Sequence, residues 1–440
     1  MKIKRLPALI FCFLLFTGTA FCAGPDSVID DINGFFKKID LTQHGSLKNE
    51  TAYRIHTPTE LTKVRNQFML TETGALSENT KFKITSRFYY DAVYDLTDNF
   101  PSNVRSDQAR EAELRDTYID YSKGPFDMRL GKQQIVWGEA VGLFFADVVN
   151  ARDLREFVLP DFDMIRIPQW GADLEYGKGN FHIEGIWIPG IEFDKRGVTG
   201  SEFAFPLPVP ENTLFTAKDP QRPKSNFQNS ETGMRMSYLT HGWDVSAFYL
   251  YTWEKSPVMF RSIDSGVFNF HPGYRRLNIV GSTFAKEIND VVLKGEFVFN
   301  RKGNFSIFDS TNPDGVTRKD FIDYLLGLDY TFWKKIDANF QFMQRVIFNF
   351  DNRIVNEDHV HNAVSLRLSK GFLNDSLETE FLVIAGLMRE DLMYRPKVTY
   401  SFKNNWKLRL GLDIFQGKPS GVFGMFEKKS RTYCELTYSF

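Results

Sequence analysis

The chain has 440 residues, a formal net charge of −1 and an aromatic content of 15%, with 43 Phe and 17 Tyr. The near-neutral charge argues against nucleic acid as the main partner. Mean hydropathy is only −0.30, so the aromatic side chains are interleaved with charged ones and are not collected into apolar runs. This composition suits a protein surface that is apolar on one side and water-exposed on the other.

The first 23 residues have the features of a secretory signal peptide. A positive start and an apolar stretch over 8–16 are followed by small residues, with cleavage expected after Ala20, Cys22 or Ala23. Cys22 also raises the alternative of a lipoprotein, which we disfavour because Phe21 is a poor residue before a lipidated cysteine. No later apolar segment has the length of a transmembrane helix.

Residues 24–45 are predicted to form a periplasmic segment ahead of the first strand. Val28, Ile32, Phe35 and Ile39 recur at helical spacing, which predicts a short amphipathic helix over 27–39. The helix could rest on the end of a barrel, plug its pore or dock a partner, and the sequence leaves these roles open.

From residue 46 to 440 the dominant pattern alternates apolar and polar residues with a period of two. Phe340 and Phe342, for example, share one strand face, opposite Gln341 and Arg345. The fold class is therefore predicted to be all-β: a transmembrane antiparallel barrel of about 18 strands (16–18). The predicted strands are 46–56, 61–71, 79–94, 111–122, 126–137, 171–177, 181–190, 231–240, 242–254, 275–286, 291–301, 320–333, 336–349, 359–370, 376–390, 394–402, 406–416 and 431–440.

The connections between these strands alternate in length. Short turns are predicted at 123–125, 177–180, 241, 334–335 and 403–405, and long loops at 95–110, 138–170, 191–230, 255–274, 302–319 and 417–430. Short turns on one rim and long loops on the other are typical of outer-membrane barrels, and a soluble β-sandwich gives no reason for them.

The last predicted strand ends in an aromatic residue, Phe440. An aromatic C-terminus on an alternating strand resembles the signal that is read by the barrel-assembly machinery of outer-membrane proteins. We therefore expect this machinery and outer-membrane lipids as partners, and the bacterial outer membrane as the location of the mature protein.

The connection 138–170 is the most unusual segment of the chain. Loops of this length are normally either disordered or functional, and Phe145, Phe157 and other aromatic residues make this one too apolar to be disordered. We expect it to fold inward against the barrel wall and to narrow the pore. Asn150 and Asp153 are interpreted as the start of an N-capped helical turn.

The residues around this loop carry a family resemblance. Two groups of residues resemble a family of large outer-membrane barrels. The first is Arg129, Gly131, Gln133 and the Trp137-Gly138-Glu139 run, and the second is Asn150, Asp153, Arg155 and Pro160. Members of this family are often encoded beside transporters of the resistance-nodulation-division class. The strand and inward loop are also similar to alginate-export and other substrate-selective porins. The resemblance implies transport across the outer membrane, with lipidic or other apolar cargo as one option, and a transporter complex as a possible partner.

The candidate constriction residues lie on the last predicted strand before the loop and in the loop itself. Arg129 and Gln133 should face the lumen, with Trp137 at the rim and Glu139 as the first loop carboxylate, placed to pair with a lumen arginine. Loop residues of both charge signs complete the set: Arg152, Asp153, Arg155, Asp161, Asp163 and Arg166. Facing clusters of opposite charge would create a transverse field at the constriction. Alternatively, these ions pair with one another and pin the loop, and the two roles are compatible. The other predicted lumen charges are mixed and indicate no ion preference.

The sequence gives little indication of a metal site or of enzyme activity. His359 and His361 could share a strand face, but no third metal ligand is identifiable, and the sequence contains no recognisable catalytic motif. We therefore expect no enzyme activity, no metal and no cofactor. The alternatives to a porin-like channel are an outer-membrane component of an export system that works with a resistance-nodulation-division transporter, and a surface receptor or adhesin that uses the proline-rich loop 191–230.

Overall fold

The computed structural model describes residues 41–138, 145–206, 214–309, 311–333, 335–403 and 405–440. The predicted signal peptide (1–23) and the predicted amphipathic helix (27–39) lie outside the described residues. In the part of the chain that is described, no helix is long and apolar enough to span a bilayer.

Eighteen antiparallel strands form one closed barrel in which each strand pairs with the next barrel strand along the chain. The ring closes where the first strand pairs with the last, from Ser46 opposite Ser439 to Arg54 opposite Arg431. The predicted all-β, eighteen-strand transmembrane barrel is thereby confirmed. Numbered in chain order together with six short loop strands, the barrel strands are Thr42–Arg54 (β1), Leu61–Ser77 (β2), Thr80–Asp91 (β3), Arg110–Lys123 (β4), Phe126–Gln133 (β5), Gln169–Lys178 (β8), Phe181–Gly190 (β9), Glu231–Thr240 (β12), Trp243–Trp253 (β13), Arg276–Ile288 (β16), Val291–Ser306 (β17), Val316–Phe332 (β18), Ile336–Ile347 (β19), Val360–Phe372 (β20), Leu377–Gly386 (β21), Asp391–Phe402 (β22), Trp406–Gln416 (β23) and Arg431–Ser439 (β24).

Each predicted barrel strand has an observed counterpart, and the differences lie at the strand ends. The barrel begins at Thr42 and not at residue 46, and β5 ends at Gln133 and not at residue 137. β17 and β18 extend beyond their predicted ends and continue to pair past a register shift between Asn300 and Gly303, which shortens the predicted loop 302–319. Such ends are set by pairing with the neighbouring strand, which a single-strand pattern does not contain.

The alternation of side chains separates a lipid-facing surface from the lumen. On β19, Phe340 is 43% exposed on the outside, whereas the neighbouring Gln341 points inward and is 1% exposed. Successive strand residues face opposite sides of the wall, so this pattern repeats around the ring.

The two rims of the barrel differ in their connections. One rim carries tight turns, such as 124–125, 179–180 and 241–242, together with both ends of the barrel, Thr42 and Ser439. The other carries the long loops 92–109, 134–168, 191–230, 254–275 and 417–430. In outer-membrane barrels the short turns are periplasmic and the long loops extracellular, and we orient the chain in this way.

The long loops contain short elements of their own. The helices are Val93–Leu96 (α1), Ser102–Gln108 (α2) and Phe162–Ile165 (α3), with 3-10 turns at Phe227–Asn229 and Gly424–Lys429. The short strands are Ala151–Leu154 (β6), Arg166–Ile167 (β7), Lys195–Arg196 (β10), Phe215–Ala217 (β11), Arg261–Asp264 (β14) and Val267–Phe270 (β15).

The helical turn predicted after Asn150 is wrong, because β6 occupies this position. β6 pairs with β7 from the same loop and with β10 from the next loop. The side chain of Asn150 does not cap a helix; it hydrogen-bonds both the N–H and the C=O of Ile135, at 3.2 and 2.6 Å. The backbone N–H and C=O groups of β6 therefore find their partners in β7 and β10, which are distant in sequence, and not in the local hydrogen bonds of a helix.

Candidate constriction site in the barrel lumen

The segment 134–168, here called the inward loop, leaves the barrel after β5 and folds into the lumen before it returns to β8. Its first anchor is an apolar cluster near the outer rim. Ile135, Trp137, Ala146 and Val149 are buried there against inward-facing side chains of β9, β13, β16 and β17. The wall residues of this first anchor are Ile186, Ile188, Phe248, Leu250, Leu277, Ile279 and Val298. The predicted inward fold of this loop is thereby confirmed.

Two wall carboxylates strengthen the first anchor. Glu184 of β9 accepts a hydrogen bond from Nε1 of Trp137 at 2.7 Å. Glu296 of β17 accepts the backbone N–H groups of Phe145 and Ala146 at 2.7 and 2.8 Å. Both acids thus satisfy donors of a chain segment that has left the β-ladder, as buried polar groups require.

The second anchor lies across the barrel, on β21–β23. Phe157 and Leu159 pack against the inward-facing Ile384, Met393 and Phe415. Aromatic rings from two other extracellular loops cover them: Phe203, Phe423 and Phe426. Since the two anchors lie on nearly opposite arcs of the ring of strands, the inward loop spans the lumen from wall to wall.

Charged contacts fix the inward loop beside the second anchor. Glu156 forms ion pairs with Lys63 and Arg65 of β2, and Arg431 of β24 lies 3.9 Å away. Burial alone would raise the pKa of Glu156, but Arg65, Lys63 and Arg431 outweigh it and hold the pKa well below its ordinary value. Glu156 is therefore ionised in the folded protein, and removing a buried partner of this kind typically costs about 3–5 kcal/mol.

A further contact holds the backbone of the loop. The Arg395 guanidinium of β22 donates from Nη2 to the carbonyl of Leu159 at 2.6 Å and from Nη1 to that of Val158 at 3.3 Å. Its Nε also pairs with Asp413 of β23 at 2.8 Å. One arginine thus joins the loop tip, residues 156–163, to two barrel strands.

A charged cavity of about 400 Å³ lies beside the loop tip. The barrel wall around it is rich in cations. Nine basic residues of the wall line the cavity: Lys48, Lys63, Arg65, Arg87, Arg367, Arg395, Lys397, Arg409 and Arg431. Four acidic wall residues line it as well: Glu50, Glu380, Asp413 and Glu435. The described part of the inward loop contributes mainly carboxylates, from Asp153, Glu156, Asp161 and Asp163, and one lining cation, Arg155.

The loop carboxylates face the basic wall. Asp161 lies 3.5 Å from Nη1 of Arg409. Burial would raise the pKa of Asp161, but Arg409, Lys397 and Lys48 lower it below its ordinary value. The pKa of Asp153 is lowered in the same way, because its pairing with Arg155 outweighs burial. The carboxylates are therefore negatively charged at the pH of the periplasm.

The adjoining part of the wall, on β4–β9, has the other sign. Asp120 of β4, Asp173 and Glu175 of β8 and Glu184 of β9 face the lumen beside Arg129. The lumen charges are therefore segregated by strand: acids dominate β4–β9 and cations dominate the wall around the cavity. The strand patterns indicated a mixture because they do not reveal which strands become neighbours.

The structure brings four of the predicted constriction residues to the cavity. These are Asp153, Arg155, Asp161 and Asp163. Arg155 pairs with Asp153 at 2.5 Å and with Glu111 of β4 at 2.8 Å. Asp163 is the most open of the four, with a side chain that is 90% exposed.

The other predicted residues lie elsewhere. Arg129 faces the lumen on β5 and pairs with Asp120 at 2.6 Å. Gln133 is fully buried at the end of β5, and Trp137 belongs to the first anchor. Arg152 and Arg166 both contact Asp147 within the loop, through its carbonyl and its carboxylate respectively. Glu139 lies outside the described residues.

Several wall residues at the site were not predicted, above all Lys63, Arg65, Arg395 and Arg431. Each lies on the polar face of a correctly predicted strand, so the alternation signal marked them as lumen residues. Their convergence on the inward loop, at Glu156 for Lys63, Arg65 and Arg431 and at the Val158 and Leu159 carbonyls for Arg395, requires β1, β2 and β22–β24 to be neighbours, which follows from closure of the barrel.

The comparisons with known proteins agree with this architecture. Residues 36–352 match the model of a family described as "Protein of unknown function (DUF1302)". No curated protein matches the chain by sequence.

Among solved structures, three outer-membrane proteins share the fold at low identity. OccAB1 of Acinetobacter baumannii is 8% identical with a TM-score of 0.55, and the match covers 91% of this chain and 96% of that one. OccK2 (OpdF) of Pseudomonas aeruginosa, solved with glucuronate, is 8% identical with a TM-score of 0.53, covering 91% and 98%. OpdK of Pseudomonas aeruginosa, solved with vanillate, is 8% identical with a TM-score of 0.52 and the same coverage. At this identity the likeness shows the fold alone.

Proposed function

We propose that this chain, which belongs to the DUF1302 family, is an outer-membrane channel for small solutes that is narrowed by its inward loop. The observation that carries the proposal is the double anchoring of residues 134–168 on opposite walls, with a charged cavity beside the loop tip. A loop fixed in this way narrows the pore without blocking it. Its charges serve both to pin the loop and to contact the passing solute.

The charge of the cavity suggests the solute. Among its lining residues, the nine wall cations outnumber the four wall acids, and the loop carboxylates offset part of this excess. The solved neighbours OccK2 and OpdK hold glucuronate and vanillate, which are small carboxylates. We therefore favour small anionic solutes, which would take the place of loop carboxylates as partners of wall cations such as Arg409.

The route of the chain to its membrane is part of the same proposal. It would be exported by its signal peptide and inserted by the barrel-assembly machinery, which would recognise Phe440. In the structure Phe440 exchanges two backbone hydrogen bonds of 2.9 Å with Gly45 and lies beside Phe68 at the barrel seam. The C-terminal aromatic residue thus contributes to ring closure, a role compatible with its being an assembly signal.

A second candidate rests on the first anchor. Its wall residues are apolar although they face the lumen, where polar side chains are usual. If the inward loop moved away, these residues would offer an apolar path, as export of lipidic cargo together with a resistance-nodulation-division transporter would require.

Planar-bilayer recording on the full chain separates these functions. For a channel we expect steady single-channel currents, a reversal potential under a salt gradient that indicates anion preference, and larger currents when 156–165 is replaced by Gly-Ser residues. Equal currents for both proteins would show that the loop is not the constriction. If neither protein gave a current and the full chain bound a hydrophobic ligand saturably, the second candidate function would replace the channel proposal.

A further inference from the structure

The outer face of the barrel carries an aromatic slot close to the extracellular rim. Trp187 of β9, Thr232 of β12 and Tyr251 of β13 are register partners across three adjacent strands. All three face away from the lumen, and Trp187 and Tyr251 remain 40% and 37% exposed. The small threonine between two large rings leaves a groove between them.

The 3-10 turn Phe227–Asn229 covers the upper end of the slot. Phe227 is 80% exposed, and its ring centroid lies 6.1 Å from that of Trp187. Gln228 and Ser230 line the slot beside it. An aromatic side chain that the described residues leave this exposed, next to an indole at the membrane rim, is suited to packing against an apolar neighbour such as a lipid chain.

The groove continues from the slot towards the middle of the membrane. The next two outward-facing rows along β12 are Met234 beside Gly185 and Met236 beside Ala247. A Cβ added to Gly185 would meet nothing within 4 Å. Small residues next to unbranched, adaptable methionines form a shallow path in which an acyl chain can lie.

A fixed positive charge lies at the top of the slot. The guanidinium of Arg276, at the outer end of β16, lies 4.5 Å from the ring centroid of Tyr251 and 4.3 Å from that of Trp253. Its Nη1 and Nη2 donate to the carbonyls of Ser230 and Gln228, both at 3.0 Å. Arg276 shares the outward face of Asn278, which accepts a hydrogen bond from the hydroxyl of Tyr249. The charge therefore sits on the lipid side of the wall, at the level of lipid headgroups.

We propose that the slot binds a phosphate-bearing lipid of the outer leaflet. One acyl chain lies between Trp187 and Tyr251 and continues along Met234 and Met236, and the phosphate lies against Arg276. Charge complementarity and the apolar path point to the same occupant, because an anionic headgroup and an acyl chain are joined in a single molecule. This site goes beyond the channel function and shares with it only the placement of the barrel in the outer membrane.

Native mass spectrometry of the full chain in detergent, titrated with dioleoyl-phosphatidylglycerol, tests the site. We expect a single tightly retained lipid on the unmodified protein. Thr232→Trp fills the slot and should abolish this retention. Thr51→Trp is the matched control: Thr51 is also a threonine on the lipid-facing side, on β1 between Val64 and Cys434, and this variant should retain the lipid.

Two substitutions of Arg276 test its contact with the phosphate. Arg276→Gln should weaken retention about fivefold, the effect expected for one cation near an anionic headgroup, and Arg276→Lys should restore most of it. Unchanged retention in Thr232→Trp would overturn the site. Loss in Thr232→Trp together with full retention in Arg276→Gln would overturn the assignment of a phosphate-bearing lipid.

Two further measurements keep this test independent of the channel. Barrel folding is verified by the changed gel migration of unheated samples, and Trp187→Ala with Tyr251→Ala replaces Thr232→Trp if that variant fails to fold. Because the slot lies outside the barrel, single-channel currents should be the same in all variants. A failure of the lipid site is thus distinguishable from a failure of the channel proposal.

Discussion

Trp137 of the inward loop donates its indole N–H to the carboxylate of Glu184 on β9 at 2.7 Å. Both side chains are buried, with exposed fractions of 1% and 6%. The contact joins the first anchor of the loop to the acidic part of the lumen wall. It adds one polar contact to the first anchor, and this contact can be removed with little change of shape.

Trp137→Phe removes this donor and keeps an aromatic ring in the cluster. Since Glu184 then loses a buried partner, we expect the first anchor to weaken by about 1–3 kcal/mol. Hydrogen exchange of amides 145–150 should become faster, while exchange in the barrel strands stays constant. Unchanged exchange in the loop would show that the apolar contacts alone hold this anchor.

Gly233 of β12 provides a second test of the same anchor. A Cβ at this position would lie 2.7 Å from Cη2 of Trp137 and 2.9 Å from Cδ1 of Leu250. We expect Gly233→Ala to displace the indole and to raise the protease sensitivity of the inward loop, at a cost of about 1–3 kcal/mol for overpacking. Gly185→Ala is the matched control, because its added Cβ meets open space. Equal sensitivity of the two variants would show that close packing of Trp137 against Gly233 does not hold this anchor.

Glu156→Gln tests the second anchor. It removes the carboxylate that Lys63 and Arg65 share, and these cations keep only their barrel partners Glu50 and Asp91. We therefore expect the loop tip to detach, at a cost of about 3 kcal/mol. The loss of one negative charge beside the cavity should also shift the reversal potential further towards anion selectivity. Both effects are measurable in planar bilayers, as flickering of the current and as the permeability ratio.

Glu78→Gln is the control for that experiment. Glu78 is exposed in the turn between β2 and β3, far from the cavity, so this variant carries the same charge change without touching the loop. The role of Glu156 would be refuted if both variants showed the same currents and the same permeability ratio.

The second anchor should resist moderate acidification. The pKa values of Glu156 and Asp161 are lower in the folded protein than their ordinary values of about 4. Such groups stabilise the fold above their unfolded pKa, and this stabilisation is lost as the pH falls through the lower folded values. We therefore expect the same loop protection and the same conductance from pH 7 to about pH 5, with release only below about pH 4. Release near pH 6, measured by limited proteolysis or by current, would show that other groups control the loop.

The sequence alone was sufficient for most of the barrel. Strand periodicity reports which face of a strand meets lipid, and this requirement is local, so the eighteen strands and the alternation of short and long connections were predicted with errors at the strand ends. The length and aromatic content of the inward loop were also enough to predict that it packs inside the barrel.

Only the tertiary structure decided where the loop is held and which charges meet. Trp137 was expected at the rim of the lumen face, but β5 ends early and the indole enters a cluster with residues of four other strands. Glu156 meets Lys63 and Arg65 because the ring closes at a fixed register between β1 and β24. Contacts of this kind join residues that are far apart in the chain, so their energies leave no periodic signal in the sequence, and they depend on closure of the whole barrel.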